Sequence, residues 1–256
     1  MHPLAKIKII MGFDVKITTF SILDLLAPFS CRSCGALGSL LCGCCKNYNI
    51  KLIPEMCSRC RKKLETCHCE TPVAFVGYRE GVLVRLAEDY KYKSIRATAG
   101  VLAELMAEAV AGLERAGKLE SRVVVVPLPT IGRHVRERGF DHTWLLAKRL
   151  AKLKGWEAER ILERRNKTVQ VGANKAKRKE QANKAYGVAP GWLKRGLDTD
   201  TTYLLVDDIW TTGASMEAAI STIKEAGAKK VVAAVILVPR DVNKKGEPDG
   251  SPKSVD

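Results

Sequence analysis

Two adjacent carboxylates stand where the chain could carry chemistry. Asp207 and Asp208 directly follow the apolar run YLLV at 203–206. A turn of small and hydroxyl residues, TTGAS at 211–215, comes next and leads into a helix predicted over 216–226. In an open parallel sheet, ligands bind beyond the carboxyl ends of the strands, and this order places both motifs there.

The 211–215 turn predicts an anion site. The first N–H groups of a helix have no internal acceptor, and the helix dipole favours negative charge beside them. Asp207 and Asp208 would repel an anion, so they suit hydroxyls or a hard cation such as Mg²⁺. A ligand with a phosphate, vicinal hydroxyls and a metal-bound diphosphate meets all of these requirements. Phosphoribosyl pyrophosphate (PRPP) is such a molecule.

The segment YLLVDDIWTTGAS at 203–215 resembles the PRPP-binding motif of type I phosphoribosyltransferases. In that motif, hydrophobic residues precede two acidic residues, then TTG and a small hydroxyl residue. The resemblance implies PRPP contacts from eight residues: Val206, Asp207, Asp208, Thr211, Thr212, Gly213, Ala214 and Ser215. Trp210 departs from the motif, which usually has a smaller residue there; packing and a stacking platform for an acceptor are both open.

Other phosphate sites fit the same residues less well. A dinucleotide site needs G-x-G-x-x-G, but the next glycine after Gly213 is Gly227. A Walker loop is absent, and a receiver domain places its acidic pair at the first strand. A capped helix with a chance pair of aspartates is the bland alternative.

Nearly the whole chain resembles the ComF (competence protein F, GntX-like) family, which joins a cysteine-rich zinc module to a phosphoribosyltransferase domain. The paired cysteines, YKYKS at 90–94, the segment 123–150 and the segment 162–188 carry this resemblance. It implies an α/β fold, mostly a parallel sheet flanked by helices, with a small zinc module. We expect a module over 1–70, a phosphoribosyltransferase domain over 71–242 and a disordered tail over 243–256.

By this resemblance, VPLPTIGRHVRERGFD at 126–141 forms a pyrophosphate loop and a basic helix start. Its expected contacts are Pro127, Leu128, Pro129, Arg133 and Arg138. The family's usual RGFNQ is replaced by RGFDH at 138–142, which leaves the acceptor and the role of His142 open. A solvated basic turn is the alternative for any single arginine.

The basic segment 162–188 lies where type I enzymes have a hood over the active site. The resemblance implies hood contacts from Arg165, Lys167, Thr168 and Gln170, with Lys167 grouped with Asp207 and Asp208 as catalytic. Closure of a hood would exclude water from a cationic sugar transition state. An exposed basic loop that binds nucleic acid backbone is an equal alternative.

All nine cysteines lie between residues 31 and 69, as expected of one local metal device in a reducing compartment. Structural zinc is predicted at eight of them: Cys31, Cys34, Cys42, Cys45, Cys57, Cys60, Cys67 and Cys69. Pairing Cys31 and Cys34 with Cys57 and Cys60 is one arrangement; a second interleaved site, or closure of neighbouring pairs, is another. Redox chemistry is the alternative function.

The chain has 256 residues, is 46% hydrophobic and carries a net charge of +15, which favours a polyanionic partner. No run is long enough to span a membrane, and a cytoplasmic protein is expected. We interpret it as a ComF-like phosphoribosyltransferase that uses PRPP and Mg²⁺. The resemblance links it to DNA uptake, with single-stranded DNA or a DNA-processing helicase as partner. A non-catalytic, DNA-associated or regulatory binding protein is the alternative.

Overall fold

A computed structural model describes residues 28–57, 60, 62–67, 71–165 and 185–240. Its strands are β1 (Ile53–Cys57), β2 (Pro72–Tyr78), β3 (Arg122–Pro127), β4 (Glu157–Ala158), β5 (Leu162–Arg164), β6 (Tyr186–Val188), β7 (Thr201–Ile209) and β8 (Lys230–Val238). Its helices are α1 (Gly43–Asn49), α2 (Gly81–Lys91), α3 (Thr98–Arg115), α4 (Gly132–Arg138), α5 (His142–Lys154), α6 (Pro190–Arg195) and α7 (Ala214–Glu225), with a 3₁₀ turn at Leu64–Thr66. Cys69, Lys167, Thr168, Gln170 and the predicted tail lie outside the described residues.

The main sheet has six strands in the order β1-β2-β8-β7-β3-β4. The four strand pairs β2–β8, β8–β7, β7–β3 and β3–β4 are parallel. At one edge of the sheet, β1 pairs with β2 in the antiparallel direction, with Cys57 opposite Pro72. The predicted fold class is confirmed, since this is a mostly parallel sheet with flanking helices. β1 lies in the segment 1–70 that was expected to form the zinc module, and it shares this sheet with strands of the segment 71–242.

Each central strand is buried on both faces, which explains the continuous apolar runs. In β3, Val123 and Val125 pack in a core with α2, α3 and α5, whereas Val124 and Val126 pack in a second core with α7. In β7, Leu204 and Val206 face the first core, and Tyr203 and Leu205 face the second. Alternate residues of one strand therefore reach different helices.

The basic segment 162–188, expected to form a hood or an exposed loop, is paired at its two ends. β5 and β6 form a two-stranded antiparallel ribbon, in which Leu162 lies opposite Val188. Leu162, Tyr186 and Val188 are buried in the second core. The described helices include none that is long and apolar enough to cross a membrane.

Candidate active site

A cleft of about 400 Å³ opens at the carboxyl ends of β7 and β3. It brings together the acidic pair, the 211–215 turn, the loop after β3 and the ribbon. Its lining includes Arg79, Lys91, Tyr92, Leu128, Pro129, Thr130, Ile131, His134, Arg138, His142, Thr143, Arg164, Tyr186, Asp207, Asp208, Ile209, Thr211 and Ser215. The sequence segments 127–138 and 207–215 therefore meet at one place, as the strand order predicts.

The 211–215 turn delivers the chain into α7 through a left-handed glycine. Gly213 has φ 81°, and a Cβ there would lie 2.3 Å from Cζ2 of Trp210. The Thr212 hydroxyl accepts a hydrogen bond from the N–H of Ala214 at 3.4 Å. With twelve residues, α7 is long enough for its dipole to favour an anion at its first turn.

Trp210 is a packing residue beneath this turn. Its side chain is 3% exposed, and its ring meets Phe75 edge to face with 5.4 Å between centroids. Gly213 lies directly over the indole ring of Trp210. A Cβ at this position would collide with the ring, so a large ring at residue 210 requires glycine at residue 213. The structure thus favours packing over the alternative of a stacking platform for an acceptor.

Asp208 points into the first core, where two neighbouring side chains compensate its negative charge. Its carboxylate is shared by Lys91 Nζ at 2.8 Å and His142 Nε2 at 3.6 Å from Oδ2. Burial opposes its ionisation, but the ring N–H of His142 nearby and the charge of Lys91 outweigh burial and lower the pKa of Asp208. Asp208 is therefore a buried anion with two fixed partners.

Asp207 leaves β7 on the other face and is partly exposed to the cleft. Its Oδ1 accepts a hydrogen bond from the N–H of Asp208 at 2.9 Å. Withdrawal from water, followed by the neighbouring charge of Asp208, raises the pKa of Asp207 well above its usual range. Successive residues of a strand alternate in direction, but a carboxylate oxygen of Asp207, one of Asp208 and a ring nitrogen of His142 still lie within 4.8 Å of one another. Because Lys91 and His142 already neighbour Asp208, Asp207 is the carboxylate left for a ligand.

His142 connects the loop after β3 to the acidic pair. Arg138 Nη1 lies 2.9 Å from His142 Nδ1. Because a guanidinium only donates, Nδ1 accepts, and the ring proton sits on Nε2 facing Asp208. The imidazole, 7% exposed, is thus held between a cation and an anion.

Asp141, one of the residues at which RGFDH departs from the family pattern, has several contacts at the start of α5. This residue caps α5 by accepting from the N–H of Trp144 at 3.2 Å. The hydroxyl oxygen of Thr143 lies 3.0 Å from Asp141 Oδ1, and the hydroxyl oxygen of Thr130 lies 3.1 Å from that of Thr143. The Thr143 hydroxyl donates to the carbonyl of Leu128 at 2.8 Å. The loop after β3 is therefore tied to the start of α5.

Among the remaining predicted residues, Leu128, Pro129 and Arg138 line the cleft. Arg133 does not: its side chain is 73% exposed and pairs with Glu137 on the outer side of α4. Arg165 also turns away, since its guanidinium lies where a Cβ on Gly187 would be. Alternation along the ribbon explains this, because the preceding residue, Arg164, faces the cleft instead.

Several residues that line the cleft were not predicted from the sequence, among them Lys91, Arg164 and Tyr186. Arg164 stacks on the ring of Tyr186 at 5.6 Å from its centroid, and Lys91 binds Asp208. Lys91 belongs to the segment YKYKS, whose basic character was the available signal. The phase of α2, which decides whether Lys91 or Lys93 faces the cleft, cannot be read from that signal.

The cysteines form two groups of neighbouring pairs. In the first cysteine group, Cys31, Cys34, Cys42 and Cys45 bring their sulfur atoms within 4.8 Å of one another. The second cysteine group contains Cys57, Cys60 and Cys67. The first and third pairs are thus not combined, and the alternative in which neighbouring pairs close their own sites describes the first group.

The first cysteine group fits a tetrahedral metal. Zinc–sulfur bonds of about 2.3 Å imply sulfur–sulfur distances of about 3.8 Å, and Cys34 and Cys42 lie 3.7 Å apart. Burial alone would raise the pKa of Cys31, but N–H groups of Cys34 and Cys42 donate to its sulfur and lower the pKa to about 6. A thiolate is the form that binds metal.

Similarity to known proteins points to the same region of the chain. Residues 147–256 match the phosphoribosyl transferase domain family. This matched segment begins within α5 and contains both aspartates, the 211–215 turn and the ribbon, whereas Lys91, His142 and the loop after β3, which also line the cleft, lie outside it. No curated protein shows significant similarity to the chain.

Three solved structures resemble parts of the chain at low identity. A glutamine PRPP amidotransferase from B. subtilis, complexed with ADP and GMP, is 17% identical over 58% of this chain and 30% of that chain, with TM-score 0.40. A structure described as the allosteric regulatory enzyme of purine biosynthesis has 16% identity, the same coverages and TM-score 0.37. A Staphylococcus aureus hypoxanthine phosphoribosyltransferase has 9% identity over 54% of this chain and 64% of that chain, with TM-score 0.31. These likenesses assign no activity.

Proposed function

We propose that the cleft binds PRPP and that the protein transfers the phosphoribosyl group to an acceptor with release of pyrophosphate. One observation carries this proposal. An anion-binding turn, the partly exposed carboxyl group of Asp207 and a second loop with basic side chains line the same cavity of about 400 Å³. These are the separate chemistries that a 5′-phosphate, ribose hydroxyls and a diphosphate require.

In the proposed complex, the 5′-phosphate lies at the first turn of α7. The N–H groups that follow Gly213 and the hydroxyls of Thr211 and Ser215 donate to it. The ribose hydroxyls donate to Asp207, while Asp208 remains paired with Lys91. This arrangement assigns different roles to the two adjacent carboxylates.

The diphosphate lies against the loop after β3. Arg138 and His134 line this end of the cleft and provide donors for the leaving group. The bond from the anomeric carbon to the diphosphate oxygen breaks, a bond to the acceptor nucleophile forms, and the acceptor loses its proton. Lys167, in the proposed hood, supplies further positive charge to this step.

Mg²⁺ would be held by Asp207 together with the diphosphate, and it would neutralise charge on the leaving group. Asp208 is a poor ligand for it, since an ammonium already lies 2.8 Å from its Oδ2. For zinc, we propose a structural site at the first cysteine group. Its four sulfur atoms would complete the coordination of the metal and leave no open position for catalysis.

The ComF-like part of the proposal rests on the sequence resemblance. It places the protein in the cytoplasm, in DNA uptake, with single-stranded DNA or a DNA-processing helicase as partner. The net charge of +15 supports a polyanionic partner.

The test is pyrophosphate release from PRPP with Mg²⁺, screened against nucleobases and single-stranded DNA, beside calorimetric PRPP binding. We expect binding to require Mg²⁺ and to be lost in Asp207→Asn. The matched control is Asp200→Asn, an exposed carboxylate at the opposite end of the sheet. Binding without release would favour the regulatory alternative, and no PRPP binding would defeat the proposal.

A further inference from the structure

Three consecutive residues at the end of α2 contact three different parts of the molecule. Asp89 forms an ion pair with Arg32 of the cysteine-rich segment. Tyr90 donates its hydroxyl proton to a backbone carbonyl of α5 at 2.5 Å, and Lys91 lies 2.8 Å from Asp208. Successive residues of a helix point about 100° apart, so Asp89 and Lys91 face nearly opposite sides. The last turn of α2 is thus held between the cysteine-rich segment and the cleft.

Arg32 is fixed by the loop that gathers the first cysteine group. It follows Cys31, and its N–H donates to the carbonyl of Leu40 at 2.9 Å. The N–H of Gly35 donates to the carbonyl of Cys31 at 2.9 Å. Cys31 and Leu40, each 3% exposed, belong to the first core. The backbone of Arg32 therefore moves only if this loop moves.

Asp89 needs Arg32 because its carboxylate is 1% exposed. Burial opposes its ionisation, but hydrogen bonds from Lys93 and Arg32 outweigh burial and lower its pKa. Arg32 is 28% exposed and Lys93 is 68% exposed, so Arg32 is the better shielded partner. Without Arg32, a buried carboxylate would depend on an ion pair that water screens.

We propose that Arg32 and Asp89 are positioning residues of the cleft, which hold the end of α2 so that Lys91 pairs with Asp208 and leaves Asp207 to the ligand. This inference rests on the proposed function only for the identity of that ligand. A continuous series of contacts leads from the first cysteine group to Asp208. Arg32 pairs with Asp89, the end of α2 joins Asp89 to Lys91, and Lys91 pairs with Asp208. Integrity of the cysteine-rich loop thereby becomes a condition for an ordered cleft.

The primary test needs no ligand. The full-length protein and its variants are treated with an amine-reactive reagent, and the labelling rate of Lys91 is followed by peptide mass spectrometry. In the native protein, Lys91 is 15% exposed and paired, so it is labelled slowly. Arg32→Ala is expected to raise this rate several-fold. An unchanged rate at Lys91 in Arg32→Ala would overturn the proposal.

Lys46→Ala is the matched control. Lys46 also joins the cysteine-rich segment to the domain, through an ion pair with Glu108 of α3, but α3 does not carry Lys91. We expect native labelling of Lys91 in this variant. An equal increase in Lys46→Ala and Arg32→Ala would mean general loosening and would overturn the specific role of Arg32. Arg32→Lys, which keeps the charge, is expected to restore part of the protection.

The two cysteine groups provide a second comparison. Cys34→Ser alters the first cysteine group, and Cys60→Ser alters the second, which does not contact α2 through Arg32. We expect fast labelling of Lys91 in the former and slow labelling in the latter. The reverse pattern, or equal rates, would overturn the assignment to the first cysteine group.

PRPP affinity is the functional readout. Calorimetry with Mg²⁺ present is expected to show binding about 2- to 30-fold weaker in Arg32→Ala than in the native protein, as for residues that act through an intermediate element. The double variant Arg32→Ala with Lys91→Met should bind no more weakly than Lys91→Met alone, because both changes remove the same contact. Additive losses would overturn the route through Lys91. If the native protein does not bind PRPP, the proposed function fails, while the labelling still decides the positioning role.

Discussion

The two ends of the parallel strands both carry cavities, yet they differ in what charge they bury. At the amino ends, a cavity of about 610 Å³ is lined by Cys67, Thr71, Gly117 and several charged residues that are all partly or fully exposed. At the carboxyl ends, the smaller cleft of about 400 Å³ is lined by Asp208, which is 3% exposed. Burying a charge costs free energy, so it marks a site better than volume does.

The largest difference between the two ends is expected on removing one charge from each. Asp208→Asn leaves the Lys91 ammonium without its counter-charge and should lower the free energy of unfolding by about 3 kcal/mol. Asp200→Asn at the amino ends should change it by less than about 0.5 kcal/mol. Urea unfolding at neutral pH measures both. Equal losses would remove the distinction between the two ends.

The loss of stability at acidic pH provides a second comparison of Asp208→Asn with Asp200→Asn. The folded-state pKa of Asp208 is lowered, so its contribution to stability is complete above the unfolded-state pKa and is lost as pH falls through the folded-state pKa. Asp208→Asn should therefore flatten the acid limb of the stability curve. Asp200→Asn should keep the native acid limb, as measured by thermal unfolding at a series of pH values.

A comparison of two glycines with left-handed backbones distinguishes the cost of backbone strain from the cost of a steric contact. Gly213 at the cleft and Gly117 at the amino ends have φ 81° and 62°. Both should lose about 1 kcal/mol on substitution by alanine from backbone strain, but only a Cβ at Gly213 meets a neighbour, at 2.3 Å in the Trp210 ring. We expect Gly213→Ala to be the more destabilising variant and to weaken PRPP binding. A larger loss in Gly117→Ala would contradict this explanation.

Substitution of Asp207 should change the free energy of unfolding in the opposite direction to substitution of Asp208. Because the pKa of Asp207 is raised, the folded state favours the neutral carboxyl, and ionisation at higher pH opposes folding. Asp207→Asn should therefore raise the stability of the ligand-free protein by about 1 kcal/mol at pH 8. This gain should shrink as pH falls through the raised pKa. Urea unfolding at several pH values measures it, and lower stability at pH 8 would contradict the assignment.

A small effect is expected for the ion pair of the amino-end cavity. Lys230 and Glu120 lie 2.7 Å apart, but their side chains are 32% and 46% exposed. Such a pair contributes less than about 1 kcal/mol. Lys230→Ala should leave both the unfolding midpoint and PRPP affinity close to native. A marked loss of PRPP affinity would show that the two ends are connected.

The sequence predicted those features that local order determines. Apolar runs, the acidic pair and the glycine turn are contiguous in the chain, and the strand, turn and helix form where they predict. The strand extends to Ile209, however, so the aspartates lie inside β7 rather than after it. Alternation then sends them to opposite faces, which the expectation of a shared role did not include.

What the sequence did not predict depends on packing between distant segments. The pairing of Lys91 with Asp208 requires the phase of α2 relative to β7, and no spacing encodes it. The same is true of Arg133 and Arg138, which lie on one short helix but differ in whether they reach the cleft. The cysteine spacings likewise allowed several pairings, and the fold of the loop between Cys34 and Cys42 decides among them.

The antiparallel pairing of β1 with β2 also protects an exposed edge. β2 is the buried segment PVAFVGY, and an unpaired strand of this kind would pair with strands of other molecules. β1 covers it with Pro54 and Glu55, and its register shifts between Ile53 and Met56, all of which disfavour further strand addition. At the other edge, β4 is only two residues long. The cysteine-rich segment therefore covers the edge of the sheet, and we expect a chain truncated before β2 to associate through its bare edge.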